Sequence, residues 1–353
     1  MAVVINTSEL MGVLEITPRH HNIMLAGRHG IGKSRIITEY FTSKGQKVVT
    51  LFLGQMSDPG DIIGLPALND KTGKTEFRLP WWFPEDGKPL VLFLDELNRA
   101  RPEILQCVMD LTLNKAIVGR KLPEGTQIIS AVNEGEEYQL TDLDPALISR
   151  FNIYTFAPTV SEWLLWAEKT GLDKRVIDFI SKKPQFLDGE IQDGLTKSAD
   201  RRAWERVSEI VRSFKKLDGV TEKTVAGVVG NSAAVSFMYH CRNRTGLSPI
   251  DVLNNFEAEL PSLSSSEPHE LTTLNESCFR LIEAEKNKKI RKKYTVNFAK
   301  YTNWLHSEQK REVLAHWTTL FDADTYPFTK ISLLSEAPEI MSIIEQYIKD
   351  IQL

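Results

Sequence analysis

The stretch GRHGIGKS, Gly27 to Ser34, follows the apolar run Ile23-Met24-Leu25-Ala26 and runs directly into RIITEYFTSKG. No other feature restricts the fold as much, because G-x-x-x-x-G-K-[ST] works only on a turn between a buried strand and a helix. Gly27 lets the chain leave the strand tightly. Gly30 and Gly32 let backbone N–H groups converge where a Cβ would obstruct an anion. Lys33 supplies a point charge for β- and γ-phosphate oxygens, and Ser34 a hydroxyl for Mg²⁺. The following helix turns its positive N-terminal end toward the same anion. Gly27, Arg28, His29, Gly30, Ile31, Gly32, Lys33, Ser34 and Arg35 are therefore the expected nucleotide-binding residues.

A phosphate cradle of this kind predicts a second strand that ends in an acid. PLVLFLDELNRA, Pro89 to Ala100, supplies one. Val91 to Leu94 is a short apolar run suited to a parallel sheet, and Asp95-Glu96 stand at its carboxyl end, the edge where open α/β sheets bind ligands. Asp95 is expected to hold Mg²⁺ through water, and Glu96, one residue on, to polarise the attacking water as a general base. Together the two motifs predict a nucleoside triphosphatase. No Asn-Lys-x-Asp motif argues for guanine; GTP stays open as an alternative, and ATP is the default expectation.

At 353 residues and 40.1 kDa the chain has room for two or three domains. A net charge of -4 and a pI near 6.1 give no global pull toward nucleic acid or anionic lipid. Cys107, Cys241 and Cys278 lack metal spacing, and a sparse, odd set suggests a reducing compartment. MAVVINTSELMG has no basic n-region, and no apolar run approaches the ~20 residues of a membrane helix. A soluble, cytoplasmic protein with no membrane partner is expected.

Strand and helix signals alternate to about Ala157. QKVVTLFLG reads as a second strand, TQIISAVNE as a fourth ending at Asn133, and DPALISRFNIYTF as a short helix followed by a fifth. Between the second and third strands, residues 56–80 carry turn signals at Asp58-Pro59-Gly60 and Thr72-Gly73, predicting a hairpin insert. KAIVGRKLP reads as another hairpin. Beyond Pro158 the period becomes helical: RRAWERVSEIVRSFKKL places Trp204, Val207, Ile210, Val211, Phe214 and Leu217 on one face. PSLSSSEPHE, Pro261 to Glu270, reads as a linker. The expected architecture is an α/β core over residues 1–157 with a five-stranded parallel sheet between helical layers. A helical lid over 158–240 and a mainly helical extension over 241–353 follow.

Several motifs in order resemble an AAA+ ATPase, and within that group the MoxR family: GRHGIGKS, the insert with GDIIGLP, LFLDELNRA, KAIVGRKLP, SAVNE and LDPALISRF. The resemblance covers residues 1 to about 235. It implies that Asn133 is the polar residue orienting the attacking water, and that Arg150 is an arginine finger serving a neighbouring subunit, with Arg99 and Arg101 as other candidates. A γ-phosphate sensor is implied in the lid. The chain has Asp200-Arg201-Arg202-Ala203-Trp204 there, without the family's proline; anchoring on Trp204 selects Arg202, with Arg201 the alternative.

The resemblance further implies a homo-oligomer in the form of a hexameric ring. Its action would be that of a chaperone-like remodeller, commonly paired with a von Willebrand factor A domain protein. The Trp81-Trp82 pair is either a partner contact or packing beneath the insert. A different class of function, nucleic-acid handling, rests on six basic residues between Lys286 and Lys293 with Tyr294, Phe298, Tyr301 and Trp304 after them.

Overall fold

Residues 22–27, 91–95 and 127–133 are buried at every position, which suits strands covered on both faces of a sheet. The computed structural model describes residues 3–133, 143–189, 197–214, 218–242 and 247–351. These form two compact units, Met1–Pro158 and Thr159–Leu353.

The strands of the first unit are β1 (Val3–Ile5), β2 (Asn22–Gly27), β3 (Val48–Phe52), β4 (Leu65–Leu68), β5 (Thr75–Arg78), β6 (Val91–Asp95), β7 (Ala116–Ile117), β8 (Arg120–Lys121), β9 (Gln127–Asn133) and β10 (Phe151–Phe156). Its helices are α1 (Thr7–Ile16), α2 (Lys33–Ser43), α3 (Gly60–Ile63), α4 (Pro102–Asn114) and α5 (Pro145–Ile148). Six strands pair in parallel in the order β1-β10-β2-β9-β6-β3. Alternate residues feed opposite faces, as a period of two requires. Ile23, Leu25, Val91 and Phe93 pack with Leu10, Ile37 and Phe41 under α1 and α2. Met24, Leu92 and Leu94 pack with Ile104, Val108 and Leu111 of α4 on the other face.

The sheet thus has six strands where five were expected. The extra one is β1, whose Val3, Val4 and Ile5 pair with Tyr154, Thr155 and Phe156 of β10. Three residues are too few to show a periodicity, and Val3 and Val4 stay exposed, so only the pairing with β10 makes this segment a strand. Both hairpins form: β4 pairs antiparallel with β5, and β7 with β8. The tryptophan pair divides. Trp82 is buried in the core beneath the insert, whereas Trp81 is 77% exposed.

The second unit is helical throughout its described residues: α6 (Val160–Thr170), α7 (Lys174–Lys182), α8 (Arg201–Ser213), α9 (Gly219–Val229), α10 (Asn231–Arg242), α11 (Pro249–Asn254), α12 (Phe256–Ser264), α13 (Pro268–Ala284), α14 (Lys288–Ser307), α15 (Arg311–Asp322), α16 (Pro327–Glu336) and α17 (Glu339–Ile351). Trp204, Val207 and Val211 of α8 are buried; Ile210 is half-buried and Phe214 caps the helix partly exposed. Leu217 lies outside the described residues, as does Glu134 of SAVNE. Trp204 packs against Phe179 and Phe237 at ring separations of 5.3 and 5.7 Å. A second aromatic core joins Phe279 to Phe298, Trp317 and Tyr326. The Ser-rich stretch is not a linker. It is the end of α12, a short turn, and the start of α13 with Pro268 at its first position, where a missing N–H costs nothing. No described helix is long and apolar enough to cross a membrane.

The divided tryptophan pair gives a direct test. Trp82→Ala should lower the unfolding free energy by about 3–5 kcal/mol through cavity formation, and Trp81→Ala by less than about 0.5 kcal/mol. Urea unfolding of both variants measures this; equal losses would contradict the observed burial.

Candidate active site

The cradle forms where β2 ends and α2 begins. Gly27 is required by close approach: a Cβ there would lie 2.7 Å from the carbonyl oxygen of Phe156. Gly32, at φ +95°, is the left-handed residue from which α2 starts. Ile31 turns into the core, while Arg28, His29 and Arg35 are exposed and Arg35 pairs with Glu39 at 2.8 Å.

Lys33 is only 7% exposed. Its ammonium donates to the carbonyls of Gly27 and Arg28 at 2.7 and 2.9 Å, and to Oδ1 of Asn133 at 3.0 Å. Asn133 ends β9 directly across from Gly27 in the strand register. Ser34 Oγ donates to Oδ2 of Asp95 at 2.6 Å, while the Glu96 N–H donates to Oδ1 of the same carboxylate at 3.0 Å. Lys33, Ser34, Asp95 and Asn133 therefore meet at one sheet edge, the carboxyl ends of β2, β6 and β9. The Ser34 hydroxyl and Asp95 carboxylate fit Mg²⁺, a hard cation that takes one or two protein oxygens and fills its octahedron with water and phosphate oxygens.

Glu96 follows Asp95 with its backbone in the left-handed region, φ +55° and ψ +42°. Its carboxylate accepts from Nη1 of Arg99 at 2.8 Å. A Cβ on Gly54 would lie 3.2 Å from Glu96 Oε2 and 3.0 Å from Arg99 Cβ, so a glycine there leaves room for the pair.

Arg150 stands at the opposite end of the sheet. It precedes Phe151, which pairs with Asn22 at the start of β2, and its carbonyl accepts from Asn22 Nδ2 at 3.1 Å. Nη1 of Arg150 is buried without a hydrogen bond among the described residues. In the second unit, Arg201 is buried and pairs with Asp188 at 2.9 Å, whereas Arg202 is exposed on α8.

Sequence reasoning missed Asn98. It is buried in the turn after Glu96, its Nδ2 donates to the Asn133 carbonyl at 2.8 Å, and its Oδ1 accepts from the Asn133 N–H at 3.3 Å. The only signal was an asparagine three residues past the acid at the strand end, with nothing local to give it a partner 35 residues away.

The parallel sheet, the cradle and the acidic strand end make this a P-loop AAA fold with a helical C-terminal region. Residues 22–151 match the family described as the AAA domain of the dynein-related subfamily. A curated Thauera aromatica protein, BssE, named provisionally as a chaperone, is 29% identical over 177 residues, 47% of this chain and 61% of that protein. The match therefore covers less than two thirds of that relative's length. Among solved structures, the RuvB Holliday junction branch migration motor of Thermotoga maritima is 16% identical, with 83% of this chain and 87% of that chain covered at a TM-score of 0.36. A protein of Cytophaga hutchinsonii provisionally described as an ATPase is 13% identical, with 99% and 90% covered at a TM-score of 0.33.

Asn98→Ala should leave the Asn133 N–H and carbonyl without their partner in a buried place. A loss of roughly 1–3 kcal/mol in urea unfolding is expected. An unchanged unfolding midpoint would show that Asn98 does not anchor Asn133.

Proposed function

We propose that the protein is an ATP-hydrolysing AAA+ ATPase of MoxR type that assembles into a hexameric ring and remodels a partner protein. The single observation that carries the ATPase reading is the convergence of Lys33, Ser34, Asp95 and Asn133 at the carboxyl edge of β2, β6 and β9. The match of residues 22–151 to an AAA domain supports it, and the chaperone name of the Thauera relative supports the remodelling. The partner class suggested by the family resemblance is a protein carrying a von Willebrand factor A domain.

In this reading Lys33 exchanges its loop carbonyls for β- and γ-phosphate oxygens, and the loop N–H groups receive the β-phosphate. Ser34 and Asp95 would hold Mg²⁺, Asp95 through water, and the ion would supply charge neutralisation at the phosphates. Asn133 orients the attacking water and Glu96 accepts its proton, releasing Arg99 to do so. Arg202 is assigned the lid contact to the γ-phosphate, because Arg201 is already committed to Asp188.

Arg150 is assigned to the neighbouring subunit's nucleotide. Five residue steps along β2 separate Asn22 from Gly27, about 16 Å at ~3.3 Å per residue. That is beyond the reach of an arginine side chain toward its own cradle. Against the nucleic-acid alternative, Phe298 and Tyr301 are buried in the helical core, with Tyr294 and Trp304 partly buried against it.

The test mixes two inactive proteins. Lys33→Ala should fail to bind ATP, whereas Glu96→Gln and Arg150→Ala should each bind ATP and hydrolyse it poorly. Loss of an arginine finger is expected to cost about 10³–10⁵-fold. When rings of Glu96→Gln and Arg150→Ala exchange subunits, some interfaces regain both groups, and ATPase activity should reappear at a fraction of wild type. Mixed rings as inactive as either parent would rule out Arg150 acting in trans. Normal turnover by Glu96→Gln would remove it as the base.

A further inference from the structure

The basic stretch that suggested nucleic acid has a different neighbour from the one its sequence advertises. Six of the eight residues from Lys286 to Lys293 are Lys or Arg, in a chain whose net charge is -4. Lys288, Lys289 and Lys292 are exposed in the first turns of α14. The aromatic residues farther along that helix, Phe298 and Tyr301, face the core.

What adjoins Arg291 and Lys292 is α16, with Lys288 and Lys289 one turn before them on α14. The two helices are tied side by side: Thr295 and Ser332 share a hydrogen bond of 2.8 Å, Lys292 pairs with Glu336 at 2.6 Å, and the Arg291 guanidinium lies 5.7 Å from the Phe328 ring. Thr329 and Leu333 of α16 are buried. On its outer side Phe328, Ile331 and Leu334 are 54%, 62% and 41% exposed. Their i, i+3, i+6 spacing makes a ridge about 9 Å long at ~1.5 Å per residue, two turns of apolar surface.

We infer that this α14–α16 face is a docking surface for an acidic amphipathic helical segment of a partner protein. An apolar stripe on that segment covers Phe328, Ile331 and Leu334, while carboxylates beside the stripe meet Lys288 and Lys289. Charge complementarity selects an acidic occupant. The positions of this chain's own acids separate a protein from other polyanions. Asp322 and Asp324 precede the ridge, and Glu336 and Glu339 follow it. A lipid headgroup layer or a phosphodiester backbone laid along α16 would meet those carboxylates with like charge, and nucleic acid would leave the ridge uncovered. A peptide helix can place apolar or basic residues at each end.

This inference goes beyond the ATPase reading and does not need hydrolysis, so the two can fail separately. The probe is a fluorescent synthetic peptide of about 20 residues. It carries leucines at i, i+3 and i+7 with glutamates beside them, and a control peptide replaces every glutamate by glutamine. Anisotropy titration of the full chain should give a dissociation constant on the order of micromolar for the acidic peptide and about tenfold weaker binding for the control. Binding should weaken as salt rises. Ile331→Asp and, separately, the double variant Lys288→Glu with Lys289→Glu should each weaken it about tenfold with unfolding midpoints unchanged, while Lys33→Ala should leave it intact. Equal binding of the two peptides, or binding insensitive to both surface variants, overturns the inference. So does tighter binding of duplex DNA or phosphatidylserine vesicles that the same variants abolish.

Discussion

A lysine ammonium that is nearly out of solvent must satisfy three N–H donors, and at Lys33 the protein does so at 2.7 to 3.0 Å. Leaving such a charge unmet would cost several kcal/mol. The three acceptors come from two places in the sequence: the turn that begins at Gly27 and the end of β9, more than 100 residues on. Asn133 is fixed in turn by Asn98, which belongs to the same segment as Asp95, and Asp95 returns to Ser34, the neighbour of Lys33. The contacts close a circuit through β2, β9 and β6. A shift in the register of any one of these strands would break a buried polar bond, so the cradle's geometry and the alignment of the central sheet are a single property.

The parts of this circuit that repeat locally were legible in the sequence. The glycine spacing and the Lys-Ser pair need only their own turn, and Val91 to Leu94 need only a buried environment. Trp81 and Trp82 were ambiguous because adjacent residues near the edge of an element face opposite ways, and only the fold decides which is inside. Phe298 and Tyr301 read equally well as a base-stacking surface or as core. The decision rests with Phe279 and Trp317 from other helices, which fill the space around them. Asn98 carried only its place three residues past Asp95, because its partner Asn133 is remote. β1 was missed for a related reason: a three-residue strand is defined by what it pairs with.

Glu96 illustrates a local conflict that the surroundings resolve. A non-glycine residue in the left-handed region costs of order 1–3 kcal/mol. The strain turns the chain sharply after β6, so that Asp95 and Glu96 diverge from the same strand end. Asp95 is drawn back by Ser34 and by the Glu96 N–H, while the Glu96 side chain is drawn outward to Arg99. Gly54, from the neighbouring strand's end, is the residue whose missing side chain makes that outward position available. Two adjacent carboxylates thereby acquire different partners, one a hydroxyl and an N–H, the other a guanidinium.

Parallel topology also settles where an arginine at the start of β10 can and cannot be. In a parallel sheet every strand delivers its carboxyl end to one edge, and each connecting helix brings the chain back to the other. A residue between α5 and β10 must therefore lie at the amino edge, whatever its side chain. The pairing of Phe151 with Asn22, and of Gly27 with Asn133, puts the two edges a full strand apart. Arg150, whose Nη1 is buried without a hydrogen bond among the described residues, accordingly lies at the edge farthest from its own cradle. The same connectivity that builds the cradle at the carboxyl edge therefore excludes this arginine from it.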